Sequence, residues 1–140
     1  MPYPPLVNYS SEEEYRRHFE RIYCNGPVVT FDDIPVRFRK KDFDHAFFES
    51  RQAKDDTFSI IRAERIDWIK AALQDPCSER YVGWDNKQKG YDRKRRVTLV
   101  MENYVVVIAL TAAGAGIFIT AFVADSEKTL KLIRQGPGWA

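Results

Sequence analysis

Residues 104–124 carry no charged side chain over twenty-one positions, and this run constrains the fold more than any other part of the chain. Its length would suit a membrane helix, which needs roughly 20 apolar residues. Its internal chemistry argues for strands. Val105, Val106, Val107 and Ile108 are β-branched, small residues from Thr111 to Gly116 interrupt them, and Ile117, Phe118, Ile119, Thr120, Ala121, Phe122 and Val123 resume the pattern. β-branched and aromatic side chains suit a pleated surface, and the small residues between them let the chain reverse. Two paired strands are expected, and no membrane association.

The flanking segments extend that pair into a meander. Strands are expected at 81–84, 97–101, 104–110 and 117–123, with turns at 85–90, 102–103 and 112–116. Upstream, Ser10 and Ser11 before Glu12, Glu13 and Glu14 form a helix start, with hydroxyl caps and acids in the first turn. Tyr15, Phe19, Ile22 and Tyr23 recur at helical spacing until Cys24, Asn25, Gly26 and Pro27 stop the helix. Short strands are expected at 28–31 and 36–39, while 42–49 fits either period. A second helix runs from Ser59 to Asp75-Pro76 on the stripe Ile61, Ile66, Trp68, Ile69, Ala72 and Leu73. A last helix is capped by Asp125 or Ser126 and reaches Gln135.

This order predicts an α+β domain, with an antiparallel sheet of about four strands, helices on one face and an open ligand face. At 140 residues, one domain spanning 1–140 is expected, divided into an N-terminal tail and helix (1–26) and a core (27–140). On the last strand, Phe118, Thr120 and Phe122 alternate with Ile117, Ile119, Ala121 and Val123, so one row should face away from the helices.

Charge is concentrated in one place. Lys87, Lys89, Arg93, Lys94, Arg95 and Arg96 put six basic residues within ten positions, although the net charge of the chain is only +2. Such a local field suits a polyanion, and a solvated hairpin with surplus charge explains it equally well. Trp84 and Tyr91 are aromatic rings in or beside the block that can stack on unpaired bases.

Acid–base chemistry has few places to reside, because the chain has two histidines. His18 lies among Arg16, Arg17 and Arg21 and reads as part of a polar helix face. His45 lies among acids and aromatics, and shares a face with Glu49 whether 45–49 is strand or helix. The pair can move protons, and a structural histidine bonded to Asp42 or Asp44 is the competing reading.

Neither Asp32-Asp33 nor Asp42, Asp44 and His45 completes a metal-ligand set, so no metal or other cofactor is expected. Gly114 and Gly116 lack the Lys-Ser/Thr and helix of a phosphate loop. Cys24 and Cys77 lie far apart in sequence, form no CxxC or Cys/His cluster with metal-ligand spacing, and read as reduced thiols. The opening residues have neither a basic nor an apolar leader region, so a cytoplasmic protein is expected.

Four stretches taken in order resemble the phage-associated nucleases of the barnase–EndoU–colicin–RelE superfamily. They are His45-Ala46-Phe47-Phe48-Glu49-Ser50; Arg62-Ala63-Glu64-Arg65-Ile66-Asp67-Trp68-Ile69 with Asp75-Pro76; Tyr104-Val105-Val106-Val107-Ile108; and Phe118-Ile119-Thr120-Ala121-Phe122. The resemblance covers 44–137 and leaves the first helix outside.

It implies a helix-backed antiparallel sheet whose open face binds RNA. The implied activity is metal-independent endoribonuclease cleavage, in which a ribose 2′-hydroxyl attacks the adjacent phosphate, in a toxin or phage-derived effector restrained by a cognate inhibitor or antitoxin protein. On this chain the resemblance maps the catalytic set to His45, a residue of the Lys87/Lys89/Arg95 group and Thr120; from the residues themselves, Glu49 is expected to join His45 in catalysis, and Trp84, Lys87, Tyr91, Arg93, Lys94, Arg96 and Phe122 are expected on the substrate. Phe122 stands where relatives carry Tyr, which removes a phenol-assisted step. The alternative is a non-catalytic RNA- or protein-binding module, a phage accessory protein on the same fold.

Overall fold

A computed structural model describes residues 3–53, 56–85, 90–124, 127–136 and 138, but not the side chains of 83–85, 90–97 and 129. The first helix, α1 (Glu12–Tyr23), begins where the Ser11 hydroxyl accepts from the Glu14 N–H, and the Glu14 carboxylate accepts in return from Ser10 and Ser11. Tyr15, His18, Phe19 and Tyr23 form its buried stripe. His18 belongs to that stripe and not to a polar face, because partners distant in sequence satisfy both of its ring nitrogens.

After α1 come β1 (Val28–Val29), β2 (Pro35–Arg37), α2 (Asp42–Phe47) and a two-stranded hairpin, β3 (Phe48–Glu49) with β4 (Thr57–Phe58). The single helix expected over 59–75 divides into α3 (Ile60–Ala63) and α4 (Trp68–Gln74). Between them Arg65, Ile66 and Trp68 each donate to the carbonyl three residues back, the tighter 3₁₀ spacing. The apolar stripe breaks there as well, leaving Ile60 and Ile61 exposed.

The sheet contains the expected meander, β5 (Glu79–Asp85), β6 (Gly90–Met101), β7 (Tyr104–Leu110) and β8 (Gly116–Val123), all antiparallel. It has six strands, not about four, in the order β1-β2-β8-β7-β6-β5. The antiparallel β1–β2 pair joins the edge of β8 in parallel through Val36↔Gly116 and Arg37↔Ile117. Gly116 permits the close approach, since a Cβ there would lie 3.0 Å from Val36 Cγ2.

One sheet face is the core. Leu99, Met101, Tyr104, Val106, Ile108, Phe118 and Ala121 form one cluster with rings and aliphatic side chains from α1, α2 and α4. The residues before α1 join it, as Tyr3 stacks on Trp68 at 4.0 Å, Trp68 Nε1 donates to the Pro4 carbonyl and Val7 N–H donates to Glu64. Fully burying a large apolar side chain contributes about 1.5–3 kcal/mol, so this face dominates stability.

The second face differs from the expectation of an open surface. The last helix, α5 (Glu127–Arg134), brings Leu130 and Ile133 against Val100, Val105, Val107 and Phe122, so helices cover both faces. Arg134 anchors it to the Glu79 carboxylate at 2.9 and 3.1 Å. Its expected cap, Asp125 or Ser126, lies outside the described residues.

Phe118, Thr120 and Phe122 do not form one row, because the β7–β8 register steps from Ile108↔Phe118 to Val107↔Thr120 and leaves Ile119 as an extra residue. That bulge turns Phe118 into the core while Phe122 joins the cluster under α5. No helix among the described residues is long and apolar enough to cross a membrane.

Candidate functional site

The basic block falls at the most irregular place in the sheet. The β5–β6 register steps from Val82↔Val97 to Gly83↔Asp92, so Arg93, Lys94, Arg95 and Arg96 stand opposite no residue of β5. Strand β7 reaches this segment only at Arg96, which pairs with Ala109. Four consecutive cationic residues thus occupy a wide bulge, and the pairs Gly83↔Asp92, Trp84↔Tyr91 and Asp85↔Gly90 extend beyond it as a two-stranded ribbon. Lys87 and Lys89 lie outside the described residues. For Trp84, Tyr91, Arg93, Lys94, Arg95 and Arg96 the backbone is described and the side chains are not.

His45 and Thr120, far apart in sequence, meet. His45 occupies the last turn of α2, whose carbonyls lack intrahelical donors. The Thr120 hydroxyl donates to the His45 carbonyl at 2.9 Å, Phe48 N–H donates to Asp44, and Ser59 N–H donates to Phe47. Thr120 therefore caps α2 from the sheet. It can do so because β2 pairs with β8 only at Gly116 and Ile117, leaving the rest of that edge to α2.

Glu49 lies in the hairpin that follows α2. Helix α2 ends at Phe47 and β3 begins at Phe48, so neither a continuous helix nor a continuous strand runs from His45 to Glu49, and the shared-face argument fails. The Glu49 carboxylate pairs with Arg51 at 3.4 Å. Asp42 is fully buried and accepts from the Arg39 backbone and guanidinium, while Asp44 pairs with Arg16 at 2.6 Å. Phe122 packs in the cluster under α5. Among the described residues no group of three potential ligands is placed to hold a metal ion.

A second constellation escaped sequence reasoning. The Tyr9 hydroxyl lies 2.8 Å from His18 Nδ1, and Asp67 Oδ1 lies 2.7 Å from His18 Nε2. Arg21 approaches the same Nδ1 at 3.4 Å. The imidazole is buried, the tyrosine half-buried, and the carboxylate partly open to solvent. Three segments supply it: the strap before α1, the α1 stripe, and the turn before α4. The one local signal was His18 itself, three residues after Tyr15 and one before Phe19, at the spacing of the apolar stripe.

Tyr9 is held firmly. Its N–H donates to the Tyr15 hydroxyl at 3.1 Å, which itself donates to the Val7 carbonyl at 2.9 Å. Asp67 would be the natural cap of α4 but makes no side-chain cap bond, because its carboxylate faces His18. Tyr23 supplies the missing cap, its hydroxyl accepting from the Lys70 N–H at 3.0 Å. Burial holds the Tyr23 hydroxyl protonated far above the ordinary tyrosine range.

Comparison with protein families, with curated proteins and with solved structures finds no match to this chain. The functional reading therefore rests on the residues and their geometry.

Proposed function

We propose that the protein binds single-stranded RNA through the β5–β6 ribbon. The observation that supports this is the unmatched stretch of β6 holding Arg93, Lys94, Arg95 and Arg96, next to the Trp84↔Tyr91 pair. Bulges tend to re-aim side chains at sheet margins, consecutive cations attract a phosphate backbone, and aromatic residues offer stacking partners for unpaired bases. Stacking contributes about 1–3 kcal/mol per base and tolerates sequence change, so the ribbon would select single strands over particular sequences.

Salt dependence tests the idea. Each phosphate neutralised on a single strand contributes about 0.7 to the slope of log affinity against log salt. Replacing Lys94, Arg95 and Arg96 together by Gln should flatten that slope by about 2. An unchanged slope would leave the block as solvated surface.

A second reading, metal-independent endoribonuclease, draws support from the approach of Thr120 to His45. In-line displacement by a 2′-hydroxyl needs a proton acceptor, a proton donor and positive charge beside the developing dianion. His45 would move the proton, Thr120 would bond a phosphate oxygen, and Arg95 or Lys89 would carry the charge. Glu49, paired with Arg51, would enter only after exchanging that partner. Incubation with total RNA in excess EDTA, beside His45→Ala, separates the two readings. Fragments ending in 2′,3′-cyclic phosphate that require His45 establish cleavage, and RNA that is bound but intact leaves the binding protein.

A further inference from the structure

The geometry points to a reactive centre built on other elements than the ribbon, in which Tyr9 is a nucleophile for an electrophilic phosphoryl group and His18 is its general base. Two donors converge on His18 Nδ1, the Tyr9 O–H at 2.8 Å and an Arg21 N–H at 3.4 Å. A guanidinium has only donors, so Nδ1 acts as the acceptor and the ring proton sits on Nε2, directed at the Asp67 carboxylate at 2.7 Å. That is the tautomer a base needs. Nucleophile to base and base to orienting carboxylate are both within hydrogen-bond reach, the recurring arrangement of an activated hydroxyl.

Positive charge is at hand too. Arg21 is exposed, and no carboxylate pairs with it among the described residues. A cation placed there, next to the phenol oxygen, favours an anionic phosphoryl electrophile over a neutral acyl one. In the step, Tyr9 Oη forms a bond to phosphorus as the bond from phosphorus to the leaving group breaks. The phenol proton passes to His18 Nδ1, the leaving group departs with its electron pair, and Asp67 stabilises the imidazolium. Asp67 acts as a positioning residue, and the Tyr15 hydroxyl holds the Tyr9 backbone in place.

The experiment treats the full-length protein with an alkyl fluorophosphonate, where fluoride is the leaving group, and locates adducts by peptide mass spectrometry. Tyr9 should be modified at least about 100-fold faster than N-acetyltyrosine amide, the usual scale of general-base assistance. His18→Gln should remove that advantage while circular dichroism shows a folded chain, and Tyr9→Phe should remove the adduct. A Tyr9 rate no faster than that of the free amide overturns the proposal, with no variant needed.

Imidazole ¹⁵N NMR of the unmodified protein gives an independent check. It should find the His18 proton on Nε2, and Asp67→Asn should disturb that preference. A proton on Nδ1 would exclude His18 as the acceptor of the Tyr9 proton.

Discussion

Removing one oxygen atom, in Tyr23→Phe, tests whether Tyr23 is the tertiary cap of α4. The ring is fully buried, and its hydroxyl donates to the Ile66 carbonyl at 2.5 Å while accepting from the Lys70 N–H at 3.0 Å. Phe keeps the ring contacts with Phe19 at 5.2 Å and Phe38 at 4.7 Å, so the loss should be confined to hydrogen bonding. Two backbone groups then lack a partner in a buried place, each at a cost of about 1–3 kcal/mol. Some relaxation of the turn before α4 should offset part of this, giving a net loss of about 2–4 kcal/mol. That is a large share of the roughly 5–15 kcal/mol that holds a domain folded. Urea unfolding should show the midpoint falling at constant m-value, with a melting point lower by about 10 °C. A loss below about 1 kcal/mol would mean that water or an uncapped Asp67 satisfies Lys70, and the capping argument would fail.

Two further outcomes follow from contacts of the same kind. Thr120→Val should remove the hydrogen bond to the His45 carbonyl and destabilise the protein by about 0.5–1.5 kcal/mol in urea unfolding, while Thr120→Ser should restore most of the loss. If the Val variant were as stable as the parent, Thr120 would be free of the capping role and its placement would favour catalysis. The α5 anchor should respond to acid. The hydrogen bond from Arg134 holds the Glu79 carboxyl below its usual range, so its contribution is present above the ordinary carboxylate pKa and lost as pH falls through the depressed one. Protection factors of the amides in residues 127–134, which correct for the intrinsic pH dependence of exchange, should therefore fall on acidification before global unfolding, and Arg134→Gln should abolish that dependence. Because both partners are partly exposed, high salt should weaken the effect.

Elements whose determinants lie within a few residues could be read from the sequence. The Ser11 cap, the stop at Cys24-Asn25-Gly26-Pro27 and the antiparallel run of 97–101, 104–110 and 117–123 all depend on neighbours in the chain and stand as expected, although β6 begins earlier, at Gly90. Features decided at long range could not. Nothing near Asp67 reveals that its carboxylate faces a histidine on another helix, or that the predicted long helix divides in two beside it. Nothing near Leu130 reveals which sheet face α5 will cover, because its amphipathic pattern fits either one. A bulge also defeats the period-two argument, and Ile119 alone separates Phe118 from Phe122. Among the candidate site residues the same holds, since the Thr120 hydroxyl meets the His45 carbonyl across the fold while Glu49 pairs with Arg51 in its own hairpin.

The places where local rules are set aside carry their own argument. A side-chain cap on α4 would contribute about 0.5–2 kcal/mol, and Asp67 stands at the right position to give it. The carboxylate instead faces a buried histidine, and a tyrosine from α1 must supply the cap. A regular β5–β6 ladder would likewise engage the backbone of residues 93–96, yet four basic residues occupy a stretch that β5 skips. Selection for stability alone favours neither arrangement, because at α4 a local cap is replaced by a longer-range one and at β6 the β5 ladder is interrupted. Chains generally agree across levels of structure except where a site requires otherwise. The Tyr9–His18–Asp67 corner and the basic bulge of β6 are two places where local rules are set aside, and the proposals of proton transfer at the first and polyanion binding at the second start from that observation.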